Sequence, residues 1–77
     1  MEEISSLYAF LKVVEKTSFT AAASALNCST SSISKKITQL EHSVGAKLLN
    51  RSTHGMASLT EAGATYFKRV RNIVYEL

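Results

Sequence analysis

The first 44 residues of this chain contain neither proline nor glycine; proline is absent throughout, and the three glycines fall at Gly45, Gly55 and Gly63. So few breakers predict a mainly helical domain with short connections. At 77 residues there is room for one domain and not for two. A hydrophobic share of 45% allows a core, although a domain of this size is marginal on its own.

Four helical segments follow from periodicity. In the first, Ile4, Leu7, Tyr8, Leu11 and Val14 recur at helical spacing, with Phe10 and Val13 widening the stripe. Thr17-Ser18 breaks it, and Ser18 is placed to cap a short second helix from Phe19 to about Leu26. The small side chains of Ala21, Ala22, Ala23 and Ala25 let that helix cross a neighbour closely. Asn27-Cys28-Ser29 reads as a turn, with Ser29 or Thr30 capping a third helix. Its apolar stripe is Ile33, Ile37, Leu40 and Val44, within one narrow sector at about 100° per residue. Gly45 supplies the left-handed residue that closes it.

After Lys47 the period changes. Leu48-Leu49-Asn50-Arg51 and Met56-Ala57-Ser58-Leu59 flank the turn-rich Ser52-Thr53-His54-Gly55, which predicts a small β-hairpin. Thr60-Glu61 then caps a last helix carrying Ala62, Tyr66, Phe67, Val70, Ile73, Val74 and Leu77. Three helices, a hairpin and a further helix make a winged helix-turn-helix. Residues 1–60 form that domain, and the last helix runs through residues 61–77.

The apolar band of the last helix is wider than one small core needs. Either all of it packs on the first helix, or part of it, through Tyr66, Phe67, Val70, Ile73 and Val74, faces a second subunit. The second is expected, because the first helix offers one stripe to cover it.

The third helix points to a partner. Opposite its apolar stripe lie Ser31, Ser32, Lys35, Thr38, Gln39 and His42, with Lys36 at the margin and Glu41 close to the apolar side. A cationic, hydroxyl-rich face without a carboxylate suits a polyanion whose backbone accepts hydrogen bonds. Lys35 and Gln39 are long enough to reach base edges in a major groove. The helix N-terminus adds free N–H groups and a positive dipole end. Any solvated helix face shows Lys, Ser and Gln, so the face gains meaning from its place after an alanine-rich helix and before a basic hairpin. Lys47 and Arg51 lie at the base of that hairpin and His54 at its tip. Arg51 either reaches a phosphate or a narrow minor groove, or pairs with a carboxylate and pins the hairpin. A net charge of +3 agrees with an anionic partner without naming one.

Several classes are excluded. Cys28 is the lone cysteine, which rules out an internal disulfide and fits a reducing compartment; in the turn it reads as a small, half-buried residue. Cys28, His42 and His54 match no ligand spacing, so neither metal nor cofactor is expected. The serines lack a base and an orienting carboxylate, and no glycine-rich loop precedes a helix, so this is not an enzyme. No apolar stretch approaches the roughly 20 residues of a membrane span, and Met-Glu-Glu does not open a secretory signal. A cytoplasmic domain is expected.

Ser18-Phe19-Thr20-Ala21-Ala22-Ala23-Ser24-Ala25-Leu26, Ser32-Ile33-Ser34-Lys35-Lys36-Ile37 and Leu40-Glu41 together resemble the helix-turn-helix of LysR-type transcriptional regulators. Val44-Gly45-Ala46-Lys47-Leu48-Leu49-Asn50-Arg51 and Leu59-Thr60-Glu61-Ala62-Gly63 resemble two further segments of that family, in the same order. The resemblance implies a dimeric bacterial regulator that reads double-stranded DNA as imperfect inverted repeats. It implies a recognition helix over about 30–44, opened by Thr30 and Ser31, with Ser34 and Lys35 at DNA-contacting positions and Arg51 as the wing arginine. It also implies that residues 61–77 are the start of a linker helix, which pairs antiparallel with its counterpart in a homodimer. Three positions depart from the family's habit: Thr30 stands for Gln, Ser31 for Pro and Lys35 for Arg, so base preference does not transfer. Leu49 replaces the usual Phe, one apolar residue for another. The family's effector-binding domain is absent from these 77 residues, and sensing of a small-molecule inducer would belong to that domain. The expected interface therefore comprises Thr30, Ser31, Ser32, Ser34, Lys35, Lys36, Gln39, Lys47 and Arg51. The rival expectation is a winged helix that binds another protein and no DNA, with an acidic or apolar partner and no steep salt dependence.

Overall fold

A computed structural model describes residues 2–52 and 54–75. Helices α1 (Glu2–Lys16), α2 (Phe19–Ala25) and α3 (Thr30–Val44) precede strands β1 (Leu49–Arg51) and β2 (Ala57–Leu59), and α4 (Glu61–Tyr75) follows. The expected winged helix-turn-helix order is present. Thr53 and Leu77, read as part of the turn and of the last apolar band, lie outside the described residues.

Local chemistry sets the helix ends. Thr17 adopts φ 53 and stops α1. Ser18, extended at φ −155, accepts a hydrogen bond from the Ala21 N–H at 3.1 Å and starts α2. Asn27 at φ 58 and a bond from the Cys28 N–H to the Ala23 carbonyl, 2.9 Å, turn the chain after α2. Of the two candidate caps for α3 it is Ser29 that serves, accepting from the Ser32 N–H at 3.1 Å. Gly45 at φ 81 closes α3, its N–H donating to the Glu41 carbonyl at 2.8 Å.

The core lies between the first three helices and the wing base. It holds Ala9, Phe10 and Val13 of α1, Phe19, Ala22 and Ala23 of α2, Ile33, Ile37 and Leu40 of α3, and Leu48 and Leu49. Phe10 is its hub, with ring centroids 5.7 Å from Tyr66 and 6.4 Å from Phe67. Partial burial pushes the Tyr66 phenol above the ordinary tyrosine value.

Three expectations are corrected here. The core face of α1 runs through Ser6, Ala9, Phe10 and Val13, while Ile4 and Tyr8 are exposed at 41% and 49%. Ser6 and Ala9 are too small or polar to register in an apolar stripe, yet small residues permit the close approach of neighbouring helices. Leu7 and Val14 are shared margins, partly buried against the core. Val44 is 40% exposed, because the last turn of α3 opens onto a groove with Ser6, Leu7, Gln39 and Tyr66 rather than onto the core. Cys28 is exposed, not half-buried; the turn uses its backbone N–H, bonded to the Ala23 carbonyl, rather than its side chain.

The wing is antiparallel, pairing Leu49 with Leu59, Asn50 with Ser58 and Arg51 with Ala57. Past Ala57 the second arm keeps a bond to the first, the Met56 carbonyl accepting from the Ser52 N–H at 3.0 Å, but its bridge partner is no longer on β1. Instead Met56 bridges to Ser18, the Phe19 N–H donates to the Gly55 carbonyl at 3.0 Å, and the Ala57 N–H to the Thr17 carbonyl at 2.9 Å. The wing is thus sewn to the α1–α2 connection. At its base, Glu41 Oε2 of α3 accepts from the Leu48 and Leu49 N–H groups at 2.8 and 3.2 Å. Thr60 caps α4 by accepting from the Gly63 N–H at 2.8 Å while its hydroxyl donates to the Lys47 carbonyl at 2.6 Å.

Candidate nucleic-acid interface

The outward face of α3 is solvated along its length: Thr30, Ser31, Lys35, Thr38, Gln39 and His42 are exposed, and Ser32, Ser34 and Lys36 are half-buried. The buried Ile33, Ile37 and Leu40 on the other side fix its rotation, so the polar face cannot turn inward without emptying the core. Among the described residues the one ion pair is Lys12–Glu15 on α1, at 2.8 Å, which holds the Glu15 carboxyl below its ordinary value. Lys35, Lys36, Lys47 and Arg51 therefore keep their charge uncompensated by a described carboxylate.

The two flanks of α3 differ. On the α1 side, Lys35, Lys36, Gln39 and Ser32 gather with Ser6 around a shallow cleft, and the Lys36 ammonium donates to the Ser5 hydroxyl. On the wing side, Arg51 reaches back from β1 over α3. Its guanidinium donates to the Ser34 hydroxyl, to the Ser34 carbonyl at 3.5 Å and to the Thr38 hydroxyl at 3.3 Å. It also lies 4.6 Å from the centroid of the Phe19 ring, a cation–π distance. Arg51 does pin the hairpin, though through hydroxyls, a carbonyl and an aromatic face rather than the carboxylate expected for a structural role.

The expected residues thus share one surface: Thr30 and Ser31 at the start of α3, Ser32, Lys35, Lys36 and Gln39 toward α1, Ser34 and Arg51 toward the wing. Lys47 is exposed between α3 and β1, and His54 is exposed at the wing tip. Sequence reasoning missed the grip on Arg51. Thr38 stands one helical turn after Ser34, so a hydroxyl row facing the wing was available as a signal. The part of Phe19 was not, because a core aromatic carries no mark of what crosses its face.

Comparisons with known proteins agree with this geometry. The family model described as bacterial regulatory helix-turn-helix protein, lysR family, matches residues 4–64. The HTH-type transcriptional activator AaeR of Escherichia coli strain K12 is 47% identical over 77 residues, all of this chain and 25% of that protein. The HTH-type transcriptional regulator CrgA of Neisseria meningitidis is 44% identical over 71 residues, 92% of this chain and 23% of that protein. The chain thus spans about a quarter of the length of these curated relatives. Among solved structures, the CbnR_DBD–DNA complex superimposes with a TM-score of 0.87 at 34% identity, covering 92% of this chain and 80% of that one. The complex of BenM_DBD with benA site 1 DNA gives 0.86 at 29% identity, covering 95% and 81%. No helix among the described residues is long and apolar enough to cross a membrane. On the match over residues 4–64, and on the fold it shares with those domains, the chain belongs to the LysR family of bacterial regulatory helix-turn-helix proteins.

Proposed function

We propose that this chain is the DNA-reading part of a cytoplasmic transcriptional regulator, binding double-stranded DNA sequence-specifically with α3 in the major groove. The observation that carries the reading is the outward face of α3, polar, cationic and free of carboxylates, held in place by a buried opposite face. Ser31, Ser34, Lys35 and Gln39 meet base edges; Thr30, Ser32, Lys36 and Lys47 hold phosphates, and Arg51 adds its charge from the wing. The relatives named above are transcriptional regulators, and two of the similar structures are complexes with DNA.

A homodimer formed through α4 presents two such surfaces to two half-sites. Ile73 is 58% exposed, Val74, Tyr66 and Phe67 are half-buried, and Val70, only 2% exposed, is spent within its own chain. The partner therefore meets Ile73 and Val74 with the edges of Tyr66 and Phe67, while Val70 seats the helix from within. An inducer acts through a domain beyond these residues.

The test is selection of sites from a random duplex DNA library near physiological salt. Enrichment of two related half-sites is expected, with log K falling against log salt at a slope near −5 for about six neutralised phosphates. Failure to retain any DNA would leave the protein-binding alternative.

A further inference from the structure

We propose that Arg51 is a positioning residue for base choice, fixing the hydroxyls of Ser34 and Thr38 as hydrogen-bond donors toward DNA. The proposal rests on the DNA-binding reading above and says how one part of that surface selects its bases.

A guanidinium has donors and no acceptor. In its contacts with Ser34 and Thr38 the hydroxyl oxygens must therefore accept. Each hydroxyl then has one hydrogen left to offer, and the adjacent positive charge disfavours the approach of a second donor. A helical Ser or Thr often spends that hydrogen on the carbonyl one turn back. Thr65 on α4 does so, donating to the Glu61 carbonyl at 3.4 Å. Ser34 and Thr38 make no such bond among the described residues, so their hydrogens remain available at the surface of α3.

The arrangement is built to stay in place. Arg51 is held from three elements: by β1 through its own backbone, by α3 through Ser34 and Thr38, and by α2 through the face of the buried Phe19 ring. A lysine would keep the charge but lacks the planar fork that meets two hydroxyls and stacks on a ring at once. Ser34 and Thr38 lie one turn apart on the same side of α3, which spaces two donors along the helix. In a major groove such donors suit guanine N7 and O6, adenine N7 and thymine O4, and oppose the amino groups of cytosine and adenine. Phosphate oxygens accept equally well but carry no sequence.

The test uses the duplex enriched by the wild-type chain, together with its single-base variants, and compares Arg51→Lys, Ser34→Ala, Thr38→Val and the Arg51→Lys/Ser34→Ala pair. Arg51→Lys keeps the charge and is expected to keep the salt slope. It should nonetheless lose about fivefold or more of the discrimination at the base pairs where Ser34→Ala and Thr38→Val lose theirs. The double variant should lose little beyond either single one. Retention of discrimination by Arg51→Lys, or strictly additive losses with Ser34→Ala, would overturn the proposal and leave Arg51 as a phosphate anchor. If Arg51→Lys lowers the thermal midpoint, Ser34→Ala and Thr38→Val decide. Insensitivity of these two variants to removal of a major-groove acceptor that weakens the wild type, such as purine N7 by 7-deazapurine, supports the proposal, and insensitivity instead to removal of a base amino group overturns it. A wild-type chain that enriches no sequence would instead remove the DNA-binding reading itself.

Discussion

Gly63 and Leu48 meet backbone to backbone. A Cβ built on Gly63 would stand 2.0 Å from the Leu48 carbonyl oxygen and 2.9 Å from its carbon. The space is missing because Thr60 draws the start of α4 onto the wing base, its N–H donating to that same carbonyl at 3.0 Å. Gly63→Ala must therefore push α4 away and break this cluster, since neither backbone can yield alone. The expected cost is about 3 kcal/mol, a drop of about 10 °C or more in thermal midpoint, measured by circular dichroism. Gly63→Ala at the wild-type midpoint would mean that α4 sits farther from Leu48. Lys35 and Lys36 show a different kind of residue-scale contrast. Lys35 is exposed at the centre of the polar face, whereas Lys36 leans on Ser5 of α1. Lys35→Ala should relax base preference at one pair by about 1–3 kcal/mol. Lys36→Ala should weaken all sequences alike and flatten the salt slope by about one unit. Binding titrations on matched and scrambled duplexes at several salt concentrations separate the two, and equal behaviour of both variants would refute the division.

Between elements, the decisive contact is one carboxylate. Glu41 leaves α3 on its wing side and takes up the N–H groups of Leu48 and Leu49, which enter the core as the strand begins. Without it, two half-buried donors lose their acceptor, at about 1–3 kcal/mol. Glu41→Ala should therefore lower the thermal midpoint by several degrees and loosen amide exchange at Leu48 and Leu49 before that of the α3 core. Glu41→Gln keeps an acceptor oxygen and should recover part of the loss; equal losses in both variants would point to charge rather than acceptance. The helices and their caps were legible because Ser18, Ser29, Gly45 and Thr60 act on backbone groups within three or four residues of themselves. The face of α1 was not. Which side of that helix is buried is decided by α2, α3 and α4, and they press on Ser6 and Ala9, residues that carry little hydrophobic weight. The tie from Met56 and Gly55 to the α1–α2 connection was equally hidden, being made by backbone groups more than thirty residues apart. On the interface, the polar face of α3 follows from its own period, while the grip of Arg51 on Ser34 and Thr38 depends on how the wing folds back.

At the scale of the molecule, α1 has two apolar sides. One is spent on the core; the other sets Tyr8 and Leu11 beside Leu26, Phe67 and Val74 in an open groove along α4. Ile73 lies on the same helix at 58% exposure. The apolar band of α4 is thus only partly met by its own chain: Phe10 of α1 covers Tyr66 and Phe67, while Tyr8 and Leu11 on the other side of α1 add to the uncovered area. A second copy brought against α4 would bury Ile73 and Val74 on both chains at once, with a gain of about 25 cal/mol for each Å² of apolar surface removed from water. Because Ile73 projects into solvent in the single chain, Ile73→Glu should leave the fold and its thermal midpoint at low concentration unchanged. It should abolish self-association, since two buried carboxylates would face each other across a symmetric contact. In sedimentation equilibrium the wild-type mass should climb toward twice the chain mass with concentration, and the variant should stay at one. On DNA, the variant should keep its affinity for a single half-site and lose the gain from two half-sites on one duplex, because linkage is what makes the second contact intramolecular. A wild-type chain that stays monomeric over the whole concentration range would assign the apolar band of α4 to something other than a second copy of this chain.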